Sequence, residues 1–274
     1  MLLKEFKEKF SIERLSDNED NRIIIRNFSS PAFGVDFSSY VRDESWEADT
    51  NGEEAVYIVK YKDNIAYFFT IHCAMLYSFS DYDRLSLHQK LDIDAIVSWE
   101  KKLRQENISD LERADIERKI DNKYKTGYEN YGDISTWYDI IDFFSNNDNF
   151  GVSKCYSGIE IVRFGKNQNF AISEESDNFP TGAYVFWEYI VPLVLNVKAV
   201  VGCKFLYLYV ADKSKGRTLI NYYKDVLCFK EKDEFDDDLG MRIPKYDNGC
   251  KGLIQYVDKL PENKEATYNK YGIL

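Results

Sequence analysis

An α/β fold, a mixed sheet flanked by helices, is predicted by three features of this 274-residue sequence. The run AVYIVKYKDNIAYFFTIHCAML at 55–76 holds two β-rich stretches around the polar Lys62-Asp63-Asn64, the pattern of an antiparallel hairpin. SGIEIVRFGKN (157–167) and CKFLYLYVAD (203–212) read as two further strands. TGAYVFWEYIVPLVLNVKAVVG (181–202) and TLINYYKDVLCF (218–229) carry apolar residues at helical spacing and alternate with those strands.

Hydrophobic residues make up 44% of the chain, enough to build a packed core and to exclude global disorder. In chain order, Leu2, Leu3, Phe6 and Phe10 are spaced for a short helix, Ile23–Arg26 suits a strand, and Phe37, Tyr40 and Val41 suit a helix. The second hairpin run is apolar on both parities, as expected of a central strand covered on both faces. From about 81 to 149 the composition turns charged. Leu103, Leu111, Ile116 and Ile120 are spaced for one helical stripe, and a second helix runs from about Ser135 to Phe144 with Ser135 as a cap. This segment is read as a mainly helical insertion, 81–149, in a single domain spanning 1–274. After Phe229 the sequence is acidic and loop-like, a last β run covers Cys250–Val257, and a polar end follows.

Charge and cysteine usage narrow the partners. The net charge of −11 disfavours nucleic acid, because that affinity rests on Lys and Arg neutralising phosphates. The five cysteines are scattered with no CxxC, and Cys73, Cys203 and Cys228 lie in apolar runs, so reduced thiols in a cytoplasmic protein are expected. His72 and His88 form no cluster with them, and no metal site is expected. The apolar stretch around Val185–Val201 is interrupted by Glu188, Pro192, Asn196 and Lys198, and is expected to fall short of a membrane span.

The chemistry gathers in 155–229. Glu160 lies inside the apolar strand SGIEIVRF, where a charged carboxylate must be paired, wet or raised in pKa, conditions that also make a general base. Strict alternation places Ile159, Ile161 and Arg163 on one side, and Glu160, Val162 and Phe164 on the other. The turn into the next helix offers backbone N–H groups at Thr181, Gly182, Ala183 and Tyr184, a setting for a pyrophosphate. Pro192 is expected to kink that helix. Tyr222 and Tyr223 lie on the last helix. Leu219, Tyr222, Tyr223 and Val226 share a face that is mostly core, from which a tyrosine hydroxyl could still reach a cleft.

In order and residues, YIVKYKDNIAYFFTIHCAML, GIEIVRFGKN, TGAYVFWEYIVPLV, CKFLYLYVAD and NYYKDVLCF resemble the GNAT superfamily of acyl-CoA-dependent N-acyltransferases, over roughly 20–80 and 155–257. The resemblance implies a mixed, mostly antiparallel central sheet in which a splayed strand meets a pyrophosphate-binding loop and helix. It implies acetyl-CoA as acyl donor, an amine of a small molecule or protein as acceptor, Glu160 taking the amine's proton and Tyr223 protonating the departing thiolate. Phe164 and Gly165 would hold the pantetheine arm, and Asn221 is the nearest counterpart of the family's asparagine. The chain departs from the loop motif, with Asp177 and Pro180 where a basic or amide residue and a glycine stand, so that only Gly182 remains. It also has Cys228 in place of a glycine. The alternative reading is a catalytically degenerate binding module, such as a component of a toxin–antitoxin or defence system. In either reading the insertion could serve a protein partner or a homodimer.

Overall fold

The computed structural model describes residues 1–30, 35–79, 82, 85–105, 108–146, 152–170, 179–212, 214, 216–231, 234–235, 239–240 and 250–273. The chain divides into two compact units, one formed by Met1–Leu76 with Tyr156–Leu274, the other by Tyr77–Cys155.

The first unit opens with α1 (Leu3–Lys9), which passes directly into β1 (Phe10–Arg14). Phe10, expected on a helix with Phe6, instead starts an edge strand paired antiparallel with β2 (Ala55–Tyr61). Ile23–Arg26, expected as a strand, forms the short helix α2 (Asn21–Ile24) and a 3-10 turn, Ile25–Asn27. A compact apolar run has no period of its own, and here Ile25 and Phe28 plug one sheet face from a helical turn. A π turn, Tyr40–Glu44, leads into α3 (Ser45–Thr50).

The hairpin forms as predicted. β2 pairs antiparallel with β3 (Asn64–Phe79), and Lys62 in the turn takes a left-handed φ of 56°. β4 (Val152–Lys166), β5 (Phe205–Val210), β6 (Lys230–Glu231), β7 (Leu239–Gly240) and β8 (Lys251–Tyr256) complete the sheet. Its order is β1-β2-β3-β4-β5-β8-β6, with β7 beside β3. β1–β2, β2–β3, β5–β8 and β6–β8 pair antiparallel, and β4 pairs parallel with β5.

Alternation sends β3 side chains to two cores. Tyr67, Phe69 and Ile71 join the larger one with Ile159, Ile161, Leu206 and Leu208, while Phe68 joins Phe28, Tyr40, Val41, Val56 and Ile58 on the opposite face. Beyond Ile71 the double coverage ends, and Cys73 is exposed rather than buried in its apolar run. Cys203 is buried as expected, and so is Cys250.

The larger core is closed by α7 (Thr181–Val185), a π turn (Phe186–Ile190) and α8 (Val191–Val201), then by α9 (Thr218–Asp225) and α10 (Leu260–Tyr271). Thr181–Val201 is, by length and composition, long and apolar enough to cross a membrane, which corrects the expectation that its polar residues would disqualify it. Here Ala183, Val185, Phe186, Trp187, Ile190 and Val194 are buried in the core. Pro192 lies inside the continuous helical run Thr181–Val201, and the π turn Phe186–Ile190 immediately before it widens the helix where its missing N–H interrupts the hydrogen-bond ladder. The polar C-terminal stretch is the helix α10, which the sequence pattern hid because only Leu260, Thr267 and Tyr268 are buried on it.

The second unit holds α4 (Leu87–Leu103), α5 (Asp110–Tyr131) and α6 (Ser135–Asn146). Its core is Ile93, Ile96, Ile116, Ile120, Ile134, Trp137, Ile140 and Ile141. The expected single stripe is broken between Leu103 and Asp110, and Leu111 is 87% exposed. The carboxylate of Asp133 accepts the Ser135 N–H at 2.9 Å, which places the capping group two residues before the serine expected to cap. Close packing fixes α5 on α6: a Cβ on Gly127 would lie 2.8 Å from the Trp137 ring.

Glu188, in the π turn, is the buried charge of the larger core, its side chain 7% exposed. It accepts from Lys7 (2.9 Å), Lys264 (2.8 Å) and the Tyr268 hydroxyl (2.5 Å), tying α1, the π turn and α10 together. Burial alone would raise its carboxyl, but these three hydrogen bonds outweigh it and hold the group below its ordinary value. A depressed carboxyl stabilises the fold above its unfolded pKa and loses that contribution as pH falls through the folded value. Glu188→Ala is therefore expected to cost about 2–3 kcal/mol in urea unfolding at pH 7. The difference from the unaltered protein should shrink as pH falls below the ordinary glutamate value of 4.5.

Candidate acyl-transfer cleft

The parallel ladder between β4 and β5 is short. It joins Gly158 to Phe205, Ile159 to Leu206, Glu160 to Tyr207 and Ile161 to Leu208, and there it stops, although both strands continue. Past this point β5 stays with β8, through Tyr209–Gly252 and Val210–Lys251. The end of β4 stays with β3: the Asn167 N–H donates to the Ala66 carbonyl at 2.8 Å and its side-chain amide to the Ile65 carbonyl at 2.9 Å. The two strands part.

The alternation of β4 slips where they part. Ile159 and Ile161 face the larger core, yet Phe164 packs against that same core, with its ring centroid 6.2 Å from that of Tyr67. Arg163 faces the other way, its guanidinium 3.5 Å from the Tyr40 ring and bonded to Glu54 at 2.6 and 2.8 Å. Gly165 faces that way too, where an added Cβ would lie 2.8 Å from the Phe68 ring. Strict alternation had put Phe164 opposite Ile161 and Arg163 beside it. One extra residue at about Val162 corrects both, as a β-bulge does.

A cavity of about 330 Å³ occupies the opening. Ile161 to Lys166 and Leu208 to Ala211 line its two sides. Pro180, Gly182, Tyr67, Leu219, Tyr222 and Tyr223 close it on the side of the larger core, and Phe37 and Ser30 on the other. It therefore runs between the strands from one sheet face to the other.

The helix α9 is held at this cavity by Asp212, the last residue of CKFLYLYVAD. Its carboxylate accepts the N–H groups of Leu219 (2.8 Å) and Ile220 (3.0 Å) and those of Ser214, N–H (2.9 Å) and O–H (2.6 Å). Burial pushes its carboxyl up, and these hydrogen bonds more than reverse the effect. Tyr222 and Tyr223 then meet the cavity from adjacent positions. Burial raises both phenols far above their ordinary range, so both stay protonated at neutral pH. Among the described residues no hydrogen bond engages either hydroxyl, unlike Tyr184 and Tyr189, which donate to the carbonyls of Met1 and Phe10.

The residues singled out from sequence sort cleanly. Phe164, Gly165, Gly182 and Tyr223 line the cavity. Thr181, Ala183 and Tyr184 do not; they are buried in the helix start, and the Ala183 N–H is taken by the Pro180 carbonyl at 2.9 Å. Asn221 is exposed, its amide donating to the Gly216 carbonyl at 3.3 Å. Glu160 sits one residue before the cavity wall, bonded to His72 at 3.1 Å. Asp177 lies outside the described residues. Gly182 has an ordinary φ and serves by its lack of a side chain, since a Cβ would meet the Tyr222 hydroxyl at 3.1 Å. Cys228, where the resemblance expects a glycine, adopts the left-handed φ of 60° that such a glycine would take. Sequence reasoning missed Phe37, Tyr67 and Tyr209 as wall residues, because Tyr67 and Tyr209 sit in apolar strands and Phe37 shares a helical spacing with Tyr40 and Val41, where an aromatic looks like core.

The strand order, the parallel pair that opens midway and the helix entering at Gly182 are those expected of the GNAT arrangement. The mixed, mostly antiparallel sheet with its splayed parallel pair is the architecture that the resemblance implies. No family model and no curated protein matches the sequence. Among solved structures it is similar to a mutant AtaT toxin bound to the C-terminus of the antitoxin AtaR and acetyl-CoA, at 10% identity over 93% of this chain and 97% of that one, with a TM-score of 0.46. AtaT complexed with acetyl-methionyl-tRNA gives 11% identity, 92% and 98% coverage, and a TM-score of 0.45. FeeM, an N-acyl amino acid synthase from uncultured soil microbes, gives 10% identity, 95% and 98% coverage, and 0.42.

Because Asp212 satisfies the first turn of α9, Asp212→Ala should cost about 1–2 kcal/mol in denaturant unfolding. The same variant should speed hydrogen exchange at the Leu219 and Ile220 amides while leaving α10 unaffected.

Proposed function

We propose that this chain is an acyltransferase that moves an acetyl group from acetyl-CoA to an amine of a small molecule or protein. One observation carries the reading: the sheet opens after Ile161 and Leu208 into a cavity faced by two phenol hydroxyls with no partner among the described residues. The opening is narrow and mostly aliphatic and aromatic, which suits a slender pantetheine arm. Backbone groups of β4 from Val162 to Gly165, on the edge that leaves the parallel ladder, would hydrogen-bond that arm and the thioester carbonyl. The amine nitrogen attacks that carbonyl, the C–N bond forms, and the C–S bond breaks as the tetrahedral intermediate collapses. The Tyr223 hydroxyl supplies the proton taken up by the thiolate, and Glu160, as the resemblance implies, takes the amine's proton.

The acceptor class rests on chemistry and charge. A chain of net charge −11 suits a cationic amine such as a polyamine, an aminoglycoside or a lysine side chain. The same charge disfavoured nucleic acid in the sequence reading. A structure of similar shape has been solved with acetyl-methionyl-tRNA, and net charge alone does not exclude such a partner. A protein partner is equally open, since one such structure holds an antitoxin segment.

One observation favours the second reading, a binding module without turnover. Pro180 has no N–H, and the Ala183 N–H is used within the first turn, which leaves few donors for a pyrophosphate.

Calorimetry separates the two. Acetyl-CoA should bind at micromolar concentration, and Gly182→Leu, which fills the cavity, should abolish the heat. Tyr223→Phe should keep that binding and lower thiol release with a panel of cationic amines by about 10²-fold. Binding without thiol release on any amine would support the module, and no heat at high-micromolar acetyl-CoA would sink both forms of the reading.

A further inference from the structure

The sheet face opposite the larger core carries a polar cluster beside the cavity, which shares Arg163 with the cavity wall. His72 on β3 and Glu160 on β4 meet across neighbouring strands, Nε2 to Oε2 at 3.1 Å. The His72 side chain is 35% exposed and that of Glu160 16%, so the pair is sheltered yet can exchange a proton with water. Glu160 directly precedes Ile161, the first wall residue of the cavity, and is the register partner of Tyr207.

The other charges in the cluster are already committed. Arg163 holds both carboxylate oxygens of Glu54 and stacks on Tyr40, whose hydroxyl donates to Glu54 at 2.8 Å. A permanent cation close by is thus bound to a different carboxylate, while Glu160 has an imidazole. For a purely structural ion pair arginine would serve better, since it is charged at every pH. An imidazole differs in one respect: it gains and loses a proton near neutrality.

We propose that the proton-accepting unit of the cleft is the His72–Glu160 pair, with His72 the positioning residue that orients the Glu160 carboxylate and shares the proton leaving the amine. The proposal rests on the acyl-transfer reading above. In the working state the pair holds one proton and a single negative charge. As the C–N bond forms, the proton leaving nitrogen passes to the pair, which becomes an imidazolium–carboxylate pair joined by a charge-assisted hydrogen bond. Water then removes that proton. The imidazole, held against the Glu160 carboxylate at 3.1 Å, shares the accepted proton across that hydrogen bond.

The groups facing His72 support this. The hydrogen bond from Glu160 raises the imidazole above its ordinary value, burial opposes it, Glu54 adds to the rise and Arg163 subtracts. Below that raised value the pair is already protonated and cannot accept, so turnover should fall as pH drops through it.

The chain has only two histidines, which makes the test direct. In a His88→Gln background the single imidazole is followed by NMR across pH. It should titrate above 6.5, and Glu160→Gln should bring it down. An imidazole indifferent to Glu160→Gln overturns the proposal without any activity measurement. Thiol release from acetyl-CoA with a polyamine and aminoglycoside panel supplies the second arm. His72→Gln can still donate to Glu160 but cannot titrate. It should lower kcat about tenfold or more at neutral pH, leave the KM for acetyl-CoA unchanged, and move the acid limb down toward the pH of a lone carboxylate, about 4–5. Turnover in His72→Gln with the acid limb unmoved overturns the pair and leaves acyl transfer standing. Unaltered protein that binds acetyl-CoA but releases no thiol with any amine overturns both.

Discussion

A parallel ladder that stops after four residue pairs organises the larger unit. Parallel strands in a sheet normally stay together, covered by helices on both faces. Here β5 is bound to β8 on its far side and β4 to β3 on its own, so each keeps a partner when they separate after Ile161 and Leu208. Nothing collapses into the gap, because its walls are braced elsewhere: Asn167 ties the end of β4 to the hairpin, and Asp212 ties the end of β5 to α9. The slip in alternation at Val162 is the local consequence for β4. It turns Phe164 into the cavity's inner wall and sends Arg163 to Glu54 and Tyr40 on the far face.

The helix that enters at Gly182 completes the enclosure and is itself held by an unusual device. Its π turn places Glu188 among Lys7, Lys264 and Tyr268, so a charge buried in an apolar helix becomes the joint between both ends of the chain. Trp187, adjacent in the same turn, donates from Nε1 to the Val226 carbonyl at 3.2 Å and so fastens the helix to the end of α9. The position of Tyr222 and Tyr223 at the cavity follows from these two joints and from Asp212.

Much of this was legible. The hairpin, the strands at 157–167 and 203–212 and the two helices after them were set by period and by turn residues, signals that depend on local sequence. Four of the nine residues singled out for the site, Phe164, Gly165, Gly182 and Tyr223, line the cavity. What escaped was non-local. Whether Ile23–Arg26 forms a strand or a helical turn depends on which sheet face needs Ile25. The slip in alternation at about Val162 leaves no mark in composition, and strict alternation misplaced Arg163 and Phe164 for that reason. The His72–Glu160 contact joins residues 88 positions apart and could not be read from either strand alone.

The central claim is that the open end of the β4–β5 pair is where an acyl thioester is held. Backbone hydrogen exchange with and without saturating acetyl-CoA tests it most directly, because the amides there lack their parallel-ladder partners. The account predicts slowed exchange across 162–166 and at 182, with the amides of α5 and α6 unchanged. Exchange that slows only within 77–155, or nowhere, would contradict it.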